Sequence, residues 1–411
     1  MSAGTPDAQR LLPDLDVAVS EAASAAAVQS ALSCKVPAGG WPEQPGAWGG
    51  HPSGRRGLRY SGRFMRSVPL VAPRRLELVE SPMPEGPRAG ELLLRMRAVG
   101  LCGSDLHWWA EGRIHSTPAR YPQILGHEPV GEVVETGPGV EGFRPGDLVS
   151  VEPSLTCGHC EFCIGGRHNL CVHARFQGGP EAPGFFRDYA VIPVHNAERV
   201  PAALTVHQAT LIEPLAVWVH VYEFEPVRLG DTVAVLGAGS IGCLGIAMAK
   251  QAGAEMIFAC DRVPHRLELA RRMGASVTVN TAEADFRDAV MDLTRGRGAD
   301  LVYDAAGAPE TIALGLRCLR PGGTLVLIGI PEPLEFPVDL HAALAKELRI
   351  QAIRRSNHKG AQAAALLASG RIPAELITHV LPPEKAQEGF EMLHSYAHGV
   401  GKIVFDFDQK G

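Results

Sequence analysis

The chain has no long apolar run: none approaches the eighteen or more residues that a membrane-spanning helix needs, so no transmembrane segment is expected. It also has no basic surplus. With 39 Lys and Arg against 45 Asp and Glu, the formal net charge is -6, which gives no reason to expect nucleic acid or an anionic membrane surface as partner. No signal peptide is recognisable, and Asp7, Asp14, Asp16 and Glu21 place acids where a transit peptide would avoid them. Nor are the nine cysteines spread as a disulfide framework: Cys157, Cys160, Cys163 and Cys171 crowd into one short stretch. Such crowding without a secretory signal points to metal. The exclusions leave a soluble cytoplasmic protein with a small ligand as the expectation.

A length of 411 residues exceeds what a single hydrophobic core usually supports, so two folded units are expected, and an apolar fraction of 45% can fill them. Residues 1–64 differ from the rest. Their "VAVSEAASAAAVQSAL" has the composition of a short amphipathic helix, but the Gly-, Pro- and Arg-rich stretch after it cannot bury enough apolar surface to offset its ordering entropy. Met65 opens "MRSVPLVAPRRLELVE", which reads as the first strand of a domain, so residues 1–64 are expected to be a disordered extension or to lie upstream of the true start.

From 65 to 215, short runs such as "GELLLRMRAVGL" and "VGEVVETG" alternate with Gly- and Pro-rich turns, a β-rich texture. From about 230, "DTVAVLG", "EMIFACD", "LVYDAAG" and "GTLVLIG" are apolar strands separated by helical stretches. That alternation predicts a parallel, doubly wound sheet and an α/β fold. The final "KAQEGFEMLHSYAHGVGKIVFDFD" reads as helix then strand.

Gly237-x-Gly239-x-x-Gly242 follows an apolar strand and opens a helix. The first glycine allows the tight turn, the second lets backbone approach a pyrophosphate and the third lets helix pack on strand, while the helix N-terminus offers free N–H groups. The next strand ends at Asp261, whose carboxylate suits ribose hydroxyls and repels a ribose phosphate, so NAD is expected over NADP; the neighbouring Arg262 weakens that discrimination.

"CGHCEFCIGGRHNLC" is C-x2-C-x2-C-x7-C, and four thiolates so close suit a closed, structural zinc site. Its spacing differs from common iron–sulfur patterns. Arg167 is its sole strong cation, which argues against a nucleic-acid-binding ribbon. Disulfides remain open on geometry alone. "ILGHEPVGEVV" sets His127 beside Glu128; with Cys102 from "LCGSDLHWW" they would form a mixed zinc site keeping one position for water or substrate, as Lewis-acid catalysis requires. Glu213, in apolar "LIEPLAVWVH", is an acid that needs a partner: a metal, or a structural contact at a domain junction.

Together, "GLCGSDLH", "GHEPVGEVVETGPGVEGFRPGDLV", "CGHCEFCIGGRHNLC", "LGAGSIG" and "GGTLVLIGIP" resemble the zinc-dependent medium-chain dehydrogenase/reductase family over residues 65 to 411. The resemblance implies a GroES-like catalytic domain at 65–215, a Rossmann domain at 216–351 and a return to the catalytic part at 352–411. "SDLHWWAEGRI" and "LIEPLAVWVH" look like its sorbitol (polyol) dehydrogenase branch.

By that resemblance Cys102, His127 and Glu128 face a catalytic zinc, with Glu213 as alternate ligand or holder of a water. Ser104 contacts the substrate oxygen, His107 passes the proton to solvent by way of the cofactor ribose, and Asp105 orients the zinc-binding histidine. Gly237, Gly239, Ile241, Gly242, Asp261, Arg266 and Arg354 fall on the NAD side. Cofactors are then two zinc ions per chain and NAD, and the reaction is oxidation of a secondary alcohol, a polyol or sugar, by a homo-oligomer (dimer or tetramer).

Two departures stand out. The cysteine lobe, lost in animal sorbitol dehydrogenases, is intact, so kinship with microbial enzymes is expected. Arg355 replaces an aromatic, so a pocket with Arg354 and Arg355 would suit an acidic or phosphorylated sugar. Trp108 and Trp109 are expected to wall the pocket. Alternatives are an L-threonine 3-dehydrogenase, towards which "GFFRDYAVIP" leans, and a non-catalytic zinc- and nucleotide-binding protein.

Overall fold

The computed structural model describes residues 63–333 and 335–409. The expected disorder of residues 1–64 therefore concerns positions outside the described residues, except for the last two.

Two sheets organise the fold. The first has seven strands, running Ala197–Arg199, Leu148–Val151, Glu128–Thr136, Glu91–Gly100, Lys402–Asp406 and Ile377–Leu381, with Tyr189–Pro193 also pairing against Glu91–Gly100. Glu91–Gly100 runs antiparallel to Glu128–Thr136 and to Lys402–Asp406, so the chain's last strand closes onto an early one. The second sheet is parallel throughout: Val277–Asn280, Met256–Asp261, Thr232–Leu236, Ala299–Asp304, Leu319–Leu327 and Arg349–Ala352. Its spatial order is that of a dinucleotide-binding doubly wound sheet. Every residue of Thr232–Leu236 is buried, as expected of a parallel strand with both faces covered. The α/β class, with a GroES-like part and a Rossmann part, is the fold observed.

The stretch after Met65 is not one strand. It forms Phe64–Ser67, Pro69–Ala72 and Arg75–Leu76, and then Val79–Pro82. Pro69 and Pro73 have no N–H to give to a ladder and Arg74 turns left-handed at φ 60°, so pairing partners change along it. Helix Ile212–Phe224 packs on helix Ser240–Ala252, where Gly245 sits so close that a Cβ would meet the Trp218 ring. No helix among the described residues is long and apolar enough to cross a membrane.

Candidate active site

Cys102 is extended (φ -96°, ψ 153°) immediately before helix Gly103–Glu111. The Asp105 carboxylate ties this start to the "GHE" loop: Oδ2 accepts from the Cys102 N–H at 3.1 Å, and Oδ1 accepts from the Gly126 N–H at 3.2 Å. The same Oδ1 lies 3.3 Å from His127 Nδ1, which leaves Nε2 on the far side of the ring, 3.4 Å from Ser104 Oγ. Gly126 is left-handed at φ 86°, and a Cβ there would meet the Phe186 ring at 2.8 Å. A glycine is thus needed to bring His127 round to Cys102.

The ligand atoms of Cys102, His127 and Glu128 lie within 4.8 Å of one another. A thiol, an imidazole and a carboxylate so gathered fit zinc, with a fourth position left over. Burial alone would strip charge from His127, but Asp105 and then Cys102 outweigh it and hold its pKa well above the usual imidazole range in the metal-free chain. Buried Glu128 forms an ion pair with Lys402, whose side chain is 1% exposed. Burial opposes that ammonium's charge, yet Glu128, Cys102 and Glu213 raise its pKa.

Glu213 stands outside this group of close ligand atoms, on helix Ile212–Phe224. Burial pushes its carboxyl up to about 8; Glu128 and Glu152 add to that, while His127 and Lys402 oppose it. With Glu152, His195, Glu198 and His358 it lines a small cavity of about 50 Å³.

The other expected active-site residues divide. Ser104 meets the metal group, but no hydrogen bond joins it to His107. His107 is half-buried, its Nδ1 3.5 Å from Glu111 and 3.4 Å from Glu332. The expectation that Trp108 and Trp109 wall the pocket is corrected: both lie in the core of the antiparallel part, Trp109 with ring centroids 6.0 Å from Phe390 and 5.4 Å from His394. An apolar neighbourhood around Phe186, Phe390 and Phe405 claims the indoles.

At the nucleotide turn, Gly237 is left-handed (φ 90°), and a Cβ on Gly242 would collide with the Gly237 carbonyl oxygen. Around Gly239 the nearest atom to an added Cβ is Arg266 Nη1 at 3.9 Å, so space is open where a pyrophosphate would lie. Asp261 Oδ2 accepts from the Ala238 N–H at 2.9 Å and Oδ1 from the Val263 N–H at 3.0 Å. Arg266 approaches Asp261 at 3.9 Å and lies 4.3 Å over Tyr396. The Ile241 carbonyl accepts from Trp218 Nε1 at 2.8 Å, and Arg354 is exposed, its carbonyl accepting from Asn169 Nδ2 at 3.0 Å.

Cys157, Cys160, Cys163 and Cys171 are free thiols whose sulfurs gather within 4.8 Å. Cys157 lies 4.0 Å from Cys163 and 3.5 Å from Cys171, beside the ~3.8 Å that tetrahedral zinc–thiolate geometry requires. The set fits zinc with no position left over.

Sequence reasoning missed Lys402, Phe176 and Glu332. A lysine in otherwise apolar "KIVF" was a signal, because a buried ammonium needs a partner. Phe176, 5.1 Å from the His127 ring, gave no local sign.

Residues 88–202 match the alcohol dehydrogenase GroES-like domain, and residues 240–369 match the zinc-binding dehydrogenase domain. A sorbitol dehydrogenase of Bacillus subtilis is 34% identical, with 83% of this chain and 96% of the relative covered.

The chain belongs to the zinc-dependent medium-chain dehydrogenase/reductase family.

An L-threonine 3-dehydrogenase of Pyrococcus horikoshii is 38% identical over 80% of this chain and 94% of its own. An alcohol dehydrogenase from E. coli CFT073, solved with NADH, superposes with TM-score 0.77 at 30% identity, covering 84% of this chain and 100% of that one. These relatives are microbial. As a medium-chain dehydrogenase the chain is an oxidoreductase, and its cofactors are zinc and a nicotinamide dinucleotide.

Proposed function

We propose that this dehydrogenase oxidises a secondary hydroxyl of a polyol or sugar to the ketone, passing hydride to NAD+. The observation that carries the reading is the gathering of Cys102, His127 and Glu128 around one point, beside Ser104 and the enclosed carboxyl of Glu213. When bound there, zinc supplies Lewis acidity towards the hydroxyl and the nicotinamide accepts the hydride.

The chain's own residues do the rest. Cys102, His127 and Glu128 hold the metal, and Asp105 orients His127 through Nδ1. Ser104 Oγ takes up the hydroxyl's proton as it gives up its own, and half-exposed His107 takes up the relayed proton and delivers it to solvent. Lys402 pairs with the Glu128 carboxylate. Gly237, Gly239, Ile241, Gly242, Asp261, Arg266 and Arg354 form the dinucleotide side. The Asp261 carboxylate and the NADH in the solved relative favour NAD. Cys157, Cys160, Cys163 and Cys171 hold a second, structural zinc. Sheet membership supports a catalytic part at 65–215 and 352–411 around a cofactor part at 216–351. Exposed Leu340 and Leu344 on helix Leu340–Ala345, with exposed Ile350 on the outermost strand Arg349–Ala352, suit a homo-oligomer, and free cysteines suit the cytoplasm.

Glu213 and the B. subtilis relative favour polyols; the P. horikoshii relative favours threonine. NADH formation over a panel of polyols, sugar acids and L-threonine tests this. Turnover of polyols or sugar acids supports the reading, and turnover of threonine alone overturns it.

A further inference from the structure

Arg355 has an unusual setting. Its backbone is left-handed at φ 53°, as is that of His358 three residues on, a conformation that non-glycine residues adopt at a cost. The segment is pinned there from several sides. Ser356 Oγ donates to Glu152 Oε2 at 2.7 Å, and Asn169 Nδ2 donates to the Arg354 carbonyl at 3.0 Å. Asn357 accepts from the His168 N–H at 3.0 Å and donates to the Gly166 carbonyl at 2.8 Å. Asn169, His168 and Gly166 all belong to the cysteine lobe, so that lobe braces the loop that presents Arg355.

The bracing holds the Arg355 guanidinium 3.9 Å above the Phe176 ring, whose other neighbour is His127 at 5.1 Å. Elsewhere Arg66, Arg95, Arg97 and Arg297 reach carboxylates. Arg355 makes neither an ion pair nor a hydrogen bond among the described residues, although Glu152, Glu213 and Glu181 act on it electrostatically. Burial and Arg354 bring its pKa down to about 10, so the charge persists at neutral pH. A half-buried cation thus waits with its N–H donors unclaimed, two ring spacings from the metal group, within the reach of a short sugar chain.

We propose that Arg355 receives an anionic group, carboxylate or phosphate, carried by the polyol at a distance from the carbon being oxidised. The planar guanidinium fork matches either oxyanion in bidentate fashion, and Phe176 fixes its plane. The proposal rests on the polyol reading and narrows it: neutral polyols are poor substrates, while sugar acids or polyol phosphates are good ones.

The test measures kcat/KM with NAD+ for a neutral polyol, the matching sugar acid and the matching polyol phosphate, in wild type, R355Q and R355K. The expected result is a preference for one anionic substrate that R355Q reduces about tenfold or more, chiefly through KM, and that R355K reduces less. Which anion is preferred identifies the source. Wild type favouring the neutral polyol, or R355Q keeping the anionic preference, overturns the proposal while leaving polyol oxidation standing. Calorimetric titration of the sugar acid and of inorganic phosphate into the NADH-loaded enzyme separates the two ideas. Binding lost in R355Q, in an enzyme that oxidises no polyol, sustains the Arg355 site and removes the polyol reaction; no binding to wild type removes the site. Thermal midpoint and zinc content of each variant check folding, and R355K serves if R355Q does not fold.

Discussion

Lys402 and Glu128 form an ion pair at the candidate metal site, each side chain 1% exposed, each the first residue of its strand, Lys402–Asp406 and Glu128–Thr136. A pair so enclosed is a commitment in both directions, because neither charge has water to fall back on.

K402M should therefore lower unfolding free energy by about 3–5 kcal/mol, the usual effect of stranding one charge of a buried pair. Urea denaturation of wild type and variant measures it. The double variant K402M/E128Q should recover part of the loss, since the stranded carboxylate is then neutral. A single-variant loss below about 1 kcal/mol would show that the pair contributes little to stability.

In the proposed site Asp105 acts one step removed from the metal, through His127. D105N can still accept one backbone N–H but presents no charge to His127 Nδ1, so zinc affinity at the Cys102 group should fall about 10- to 100-fold. Competition with a chromogenic chelator reads this directly. The structural site should keep its zinc in the same titration, because Asp105 does not touch the cysteine lobe.

What could be read from the sequence follows physical locality. Gly237-x-Gly239-x-x-Gly242 and the four lobe cysteines make their sites from neighbouring residues, so spacing is enough. Cys102, His127 and Glu128 come from two segments, and a known family pattern joined them. Lys402 meets Glu128 because the final strand pairs with Glu91–Gly100, and Phe176 comes between His127 and Arg355 through folding of the lobe's exit. Neither contact has a local periodicity. Trp108 and Trp109 were misplaced because an indole beside His107 suits a pocket wall as well as a core, and only the position of Phe390 decides.

His107 is expected to matter most where hydroxide is scarce. H107A should depress kcat mainly below the pH optimum and approach wild type at alkaline pH, where bulk hydroxide takes over the proton. An unchanged pH–rate profile would remove His107 from the proton path and leave it as a partner of Glu111 and Glu332.

Asp300 sets a pH dependence remote from the metals. Burial would raise its pKa, but hydrogen bonds from Arg297 at 2.7 Å and Arg320 at 2.6 Å, with the Thr232 N–H, outweigh it and hold the carboxyl below its usual value. A pKa lower in the folded than in the unfolded chain contributes stability that is present above about pH 4 and fades as pH falls. D300N should lower the thermal midpoint at pH 7, with the gap to wild type narrowing only as pH falls below about 4. Comparing the two proteins cancels acid loss of zinc, which they share. A gap that stayed constant with pH would mean that Asp300 acts by shape alone.

Removal of metal should proceed in two stages with different consequences. In the proposed arrangement the Cys102 group keeps one position not filled by protein, whereas the four lobe cysteines would enclose their metal. A mild chelator should thus take about one zinc per chain, with activity lost and the far-ultraviolet circular dichroism kept. Loss of the second zinc, or the variant C163S, should then loosen the lobe. Because Asn169, His168 and Gly166 hold the loop that carries Arg355, that loosening should raise KM for the preferred substrate before it changes the affinity for NADH. Fluorescence titration of NADH beside substrate kinetics on C163S separates the two effects. Equal loss of both would mean that the lobe supports the whole chain and not this loop in particular.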